Sequence, residues 1–198
     1  MEEAREAAGR LAAIAYLVTP HGRYLYSRCL RGDVSLRQGV AEVLARNVDS
    51  PDLLQKCLTG LRKLMSDPDK NVSEKVGGVF EYLPSPMNSI KRFLDSFLHS
   101  RSLVYATRDC MKYAERIQLE HPGMALTIAE RIQLELGKDV VDIQKATALL
   151  DDDLVNLAVS IHTHSGTLKL KSRAMDVFER VMDLGSRYAS RVLEAVDR

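Results

Sequence analysis

The sequence predicts an all-α fold, an α-α solenoid of about ten helices arranged as roughly five helix pairs. Three observations predict it. Apolar residues recur at helical spacing along almost the whole chain, and no stretch alternates convincingly as a strand would. Pairs of such stripes recur roughly every 30 residues with short connections, which favours a repeat array over a four-helix bundle. Neither helix of a pair can bury its stripe alone, so the pairs must stack.

The elements follow in order. The first helix, about 2–18, stops at Thr19-Pro20, because proline disfavours helix at the residue before it. A second, about 22–31, is expected to end at Gly32 in a left-handed stop. A third, about 34–47, carries Leu36, Val40, Val43 and Leu44 inward. Ser50-Pro51-Asp52 then offers an N-cap, a first-turn proline and an acid suited to the helix dipole.

Two amphipathic helices, about 51–66 and 69–83, are joined by the tight turn Asp67-Pro68-Asp69. Leu53, Leu54, Cys57, Leu58, Leu61, Leu64 and Met65 form one stripe; Val72, Val76, Val79, Phe80 and Leu83 form the other. The turn and its apolar positions match the pattern of a HEAT-type helical repeat. Inside the second helix, Gly77-Gly78 costs about 1 kcal/mol per residue relative to alanine, a cost best explained by close approach of a neighbouring helix.

Pro84-Ser-Pro86 breaks the path, and Ile90, Phe93, Leu94, Phe97 and Leu98 mark the next helix. Its partner, about 102–120, presents Leu103, Ala106, Cys110, Ala114 and Ile117 before His121-Pro122-Gly123. Further helices are expected at about 124–136, 141–150, 152–164 and 167–184, with a short one carrying Tyr188, Val192 and Val196. The run Asp151-Asp152-Asp153 is read as the cap of the 152–164 helix. The heptapeptide at Ala114–Glu120 recurs at Ala129–Glu135, an offset too short for a helix pair, and is read as two helices using similar helix formers.

Composition narrows the function. The 28 basic and 27 acidic residues leave a net charge of +1, too little for a global field that draws in nucleic acid or anionic lipid. No apolar run approaches the ~20 residues that span a bilayer. The three cysteines, Cys29, Cys57 and Cys110, are odd in number and widely spaced, which argues against a disulfide framework. With an acidic Met1-Glu2-Glu3 start, these features predict a reduced, cytoplasmic protein.

Chemistry is harder to find. His162-Thr-His164 places two histidines on nearly opposite sides of a helix, where a metal pair would need a spacing of four. There is no phosphate-binding G-x-x-x-x-G-K-[ST], no nucleophile elbow and no cysteine beside a plausible histidine base. Neither catalytic residues nor a cofactor or metal site is expected, and an enzyme is the least favoured class.

The closing segments, Asp153–His164 and Leu170–Gly185, carry a further resemblance. Ser172-Arg173-Ala174-Met175-Asp176 and Arg180 through Gly185 resemble the last helices of large bacterial HEAT-repeat proteins, many of them P-loop ATPases of the NACHT and STAND type. The resemblance covers about residues 51–198; Ser73 departs from it, standing where the repeat often has arginine. The ATPase motor has no counterpart in the chain. The resemblance implies a helical tail that senses a target or regulates a motor.

The expected organisation is therefore a single helical-repeat domain over 1–198: N-terminal helices at 1–50, HEAT-like pairs at 51–137 and capping helices at 138–198. The expected function is a non-catalytic protein-interaction scaffold or sensor, with another protein, or another domain of a larger polypeptide, as partner. A nucleic-acid-binding helical module is the alternative, because Lys169, Lys171, Arg173, Arg180, Arg187 and Arg191 give the C-terminal helices a basic lean. In HEAT-type stacks the second helix of each pair lines the concave face. That implies a partner-binding surface of Lys75, Glu81 and Tyr82 on one helix with Tyr105, Lys112 and Arg116 on the next, rich in the tyrosine and arginine that anchor interfaces.

Overall fold

The structure is a computed structural model that describes residues 1–136 and 143–183. Among these residues every regular element is a helix: α1 (Glu2–Val18), α2 (Gly22–Leu30), α3 (Val34–Arg46), α4 (Pro51–Leu64), α5 (Lys70–Gly77), α6 (Val79–Tyr82), α7 (Asn88–Leu98), α8 (Ser102–Ile117), α9 (Pro122–Leu136), α10 (Ile143–His164) and α11 (Leu168–Asp183). The short helix expected around Tyr188 lies outside the described residues. Two compact units divide within α8, Met1–Asp109 and Cys110–Arg198. The backbone of α8 leaves helical geometry at Ala106 (φ −126°, ψ 16°).

In the first unit α3 is the central helix, packed by α1, α2, α4, α5 and α6. Val40, Ala41, Val43, Leu44 and Ala45 are all buried, so the second half of α3 is covered on more than one face, with Glu42 half-buried and Arg46 exposed between them. Its contact with α1 is a backbone-on-backbone crossing. A Cβ on Gly9 would run into the Leu36 carbonyl, and one on Gly39 into the Glu6 carbonyl. Gly32 follows α2 without a left-handed turn; instead the Arg31 and Gly32 N–H groups tighten the helix end by donating to the Arg28 and Cys29 carbonyls, each at 3.1 Å.

The α4–α5 hairpin follows the expected stripes, with Leu54, Cys57, Leu58, Leu61, Leu64 and Met65 buried on one helix and Val72, Val76, Val79, Phe80 and Leu83 on the other side of the turn. Asp69 caps α5, its carboxylate accepting from the Asn71 and Val72 N–H groups. Asp67 accepts from the Asp69 N–H at 3.0 Å and from Arg37 of α3 through Nε at 2.7 Å and Nη2 at 3.2 Å. Ser73, fully buried, donates its hydroxyl to the Asp67 carbonyl at 3.4 Å. Gly78 separates α5 from α6, and only Gly77 is closely approached: a Cβ there would overlap that of Ala106. The orphan Met65 carbonyl after α4 accepts from the buried Ser102 hydroxyl at 2.8 Å, which ties the start of α8 to the hairpin.

In the second unit α9, α10 and α11 pack on one another. Ile128, Ile132, Leu154, Leu157, Ile161, Val177 and Phe178 fill their shared core. The helices expected at 141–150 and 152–164 are one helix, and the three aspartates lie in its interior rather than at a cap. The reason is magnitude. Leu150, Leu154, Leu157, Ala158 and Ile161 continue one buried stripe across the acidic run. Each buried Leu or Ile contributes about 1.5–3 kcal/mol, against a propensity cost of about 0.7 kcal/mol or less per aspartate.

Candidate functional site

Four of the six surface residues expected from sequence lie in the first unit and two in the second. Lys75 on α5 is half-buried, its Nζ 3.9 Å from Glu6 and 3.8 Å from Glu42. Arg10 bridges the same two carboxylates at 2.8 and 3.0 Å, and Arg46 reaches Glu42 at 3.0 Å. Lys75 therefore closes a charged cluster over the α1–α3 crossing. Tyr82 is half-buried, and its hydroxyl donates to the exposed Glu81, which raises the phenol above its ordinary value. Tyr105 is exposed beside the Ala106 kink. In the second unit Lys112 is exposed, and the Arg116 guanidinium sits 5.1 Å over the ring of buried Tyr113.

The charged cluster has a pH signature. Burial pushes the Glu42 carboxyl up, but Lys75, Arg10 and Arg46 outweigh it, and the net shift is below the ordinary 4.5. A carboxyl depressed on folding contributes stability that is present above its unfolded value and lost as pH falls through its folded one. The melting temperature of the wild-type chain should therefore drop more steeply below the glutamate range than that of Glu42→Gln. Identical acid limbs in a melting-temperature series against pH would show that the cluster carries no such linkage.

A surface that sequence reading did not single out lies on α1 and α2. Besides the face it buries with Gly9, Ala12, Ala13 and Leu17, α1 carries a second apolar line, Ala4, Ala7, Leu11, Ile14 and Val18, and all five are exposed. The steps of three and four residues are those of a helix–helix seam. Leu11 is 68% and Val18 67% exposed, which leaves large side chains in water. Beside this line an open groove of about 690 Å³ runs between the helices, with Ala8, Ala12 and Ala15 as floor and Leu25, Arg28 and Leu36 among its walls. The signal was in the sequence, as two apolar stripes on one helix. Looking for a single buried stripe per helix passes over it.

Packing underneath fixes this surface. Tyr16 of α1 stacks on Tyr26 of α2 with ring centroids 4.2 Å apart and 14° between planes. The Lys56 ammonium of α4 donates to the Leu17 carbonyl at 2.9 Å, and Lys63 lies 5.7 Å over the Tyr26 ring. Charge around the groove leans basic on the α2 side. From His21 to Gly32 there are three arginines, Arg23, Arg28 and Arg31, and no acid, whereas α1 opens with Glu2 and Glu3. Cys29 lines the groove, but burial pushes its thiol up, away from the thiolate a nucleophile needs.

Reactive groupings elsewhere have structural uses. Burial pushes the Cys57 thiol up to about 12. Arg173, one of the residues of the basic lean, is clamped between α11 and α9 by Glu130 at 2.9 and 2.8 Å and by Thr127 at 3.0 Å. His164 closes α10 with Nδ1 2.8 Å from the Ser160 carbonyl oxygen. Burial, then the charge of Asp153, raises the Glu115 carboxyl. Among the described residues no three His, Cys, Asp or Glu side chains are grouped to hold a metal ion, and no helix is long and apolar enough to cross a membrane. Arg187 and Arg191 lie outside the described residues. Comparison with protein-family models, with curated proteins and with solved structures finds no match for this chain.

Proposed function

We infer that the chain is a non-catalytic protein-interaction module, a HEAT-like helical array whose docking surface is the outer face of α1 with the groove beside α2. One observation carries the reading. A helix already seated on its core through Gly9 and Ala13 keeps a second line of large apolar side chains in water, and a contiguous exposed apolar surface of this kind marks interaction sites. Support for the repeat architecture comes from the α4–α5 hairpin, with its Asp67-centred turn and two buried stripes. A sensor tail acting on a separate ATPase is the form of this module that the sequence resemblance favours. Its expected site of action is the cytoplasm.

A photo-reactive benzoylphenylalanine at Leu25 tests the docking surface in cells of the source organism. The expected result is a discrete protein adduct whose cross-linked peptide is identified by mass spectrometry. The same probe at Tyr105 tests the surface anticipated on α8 with Lys112 and Arg116: an adduct there and none at Leu25 would move docking to that helix. No protein adduct at either position, with salt-sensitive retention on immobilised DNA, would replace the reading by nucleic-acid binding.

A further inference from the structure

We propose that the occupant of the α1 surface is α1 of a second copy of this chain, laid antiparallel across a two-fold axis at Leu11. The proposal rests on the protein-binding reading above and names its partner. Three independent features of the surface select this partner and this direction.

The first is size matching. Along the exposed line the N-terminal half is small, with Ala4 and Ala7 and with Ala8 beside them, and from Leu11 onward it is large, with Leu11, Ile14 and Val18. An antiparallel pair centred on Leu11 sets Ala4 against Val18 and Ala8 against Ile14, so both large side chains of the C-terminal end meet alanine, and Leu11 meets its own copy at the axis. A parallel pair would stack large on large at one end and leave alanine against alanine at the other, which cannot keep one interhelical distance.

Charge is the second. Glu2 and Glu3 in the first turn of α1 lie at the far end of the helix from Arg23 at the start of α2, whereas Arg28 lines the groove beside Ala8. The Arg5–Asp33 ion pair at 2.9 Å brings the chain after α2 back to the start of α1. Antiparallel pairing carries the acids of each copy to the Arg23 end of the other. Parallel pairing would bring Glu2 and Glu3 against their own copies and Arg23 against its own.

Shape is the third. A flat helix face would meet its copy only along the line of contact. Here the groove floored by Ala8, Ala12 and Ala15 lies beside that line, and it is lined by Leu11 itself and by Leu25. A side chain from the facing helix can enter it, as a knob enters a hole. At 17 residues α1 is about 25 Å long. Exposed Tyr24 and Leu25 of α2 add apolar surface beyond the helix itself, as the ~800 Å² per partner of a stable interface requires. The arrangement is isologous: the same patch serves both copies and the contact closes on itself.

The test uses the full chain. Sedimentation equilibrium over a concentration series should give a dimer for the wild type. Leu11→Glu, a change at an exposed position, should weaken dimerisation roughly a hundredfold or more while helicity and melting temperature hold. Direction is read by cysteine pairing in a Cys29→Ser background. Ala4→Cys mixed with Val18→Cys should form an intermolecular disulfide under mild oxidation, and Ala4→Cys alone should not. A wild type that is monomeric at every attainable concentration overturns self-pairing, and the Leu25 cross-link then decides separately whether the surface binds another protein. A dimer that survives Leu11→Glu puts the interface elsewhere, and disulfide formation by Ala4→Cys alone overturns the antiparallel direction.

Discussion

Phe80→Ala is expected to lower stability by about 3–5 kcal/mol, the range for removing a buried phenylalanine. Phe80 is 1% exposed and meets Phe97 of α7 edge to face, with ring centroids 4.8 Å apart and planes at 81°. Phe97 in turn faces Phe93 at 6.1 Å, so truncation opens a void in an aromatic cluster and removes an aromatic pair contributing about 0.5–1.5 kcal/mol. The ring also holds the one-turn helix α6 in place, and the Pro84-Ser-Pro86 break leaves no longer helix to compensate. Urea unfolding followed by circular dichroism measures the change, with exposed Lys112→Ala as a control expected within about 0.5 kcal/mol. Similar midpoints for the two variants would mean that Phe80 is not part of the core.

A second large effect is expected at the turn between α4 and α5. Asp67→Ala should cost about 3–5 kcal/mol, because it leaves Arg37 charged, largely buried and without its carboxylate. The two side chains are 6% and 17% exposed, and the pair is bidentate. Asp67 also satisfies the Asp69 N–H, so the same change loosens the start of α5. An apolar pair of similar volume, Arg37→Met with Asp67→Leu, should recover most of the loss, since the cost lies in stranding one charge. A double-mutant cycle reads the coupling directly; single losses that simply add would show that the two residues do not act as a unit.

This pair also marks where the sequence stops being legible. Asp67-Pro68-Asp69 is recognisable as a turn because capping and the proline act over a few residues. The partner of Asp67 is Arg37, on a helix two elements earlier, and no local pattern points to it. The stripes of α4, α5 and α7 are legible for the same local reason: each helix buries one face, and that face has a period. Reading failed where a helix obeys two demands at once. Helix α10 runs through Asp151–Asp153 because its buried stripe outweighs three poor helix formers, and a rule that reads acids as caps breaks it. Helix α1 carries two apolar lines, only one of them buried. Among the residues anticipated as a surface, Lys75 turns inward to Glu6 and Glu42, whose positions on α1 and α3 depend on the tertiary crossing.

The glycine crossing of α1 over α3 has a consequence for anything that binds the outer face. Where helices meet through interleaved side chains, rotamers can change and one helix can slide on the other. At Gly9 and Gly39 main chain lies against main chain, and no such layer exists to be rearranged. The stacked Tyr16 and Tyr26 rings and the Lys56 bond to Leu17 hold the far end of the same helix. The exposed line of α1 is therefore set before a partner arrives. Association then loses little conformational entropy on this side, and affinity is governed by how well the incoming helix fits a fixed template.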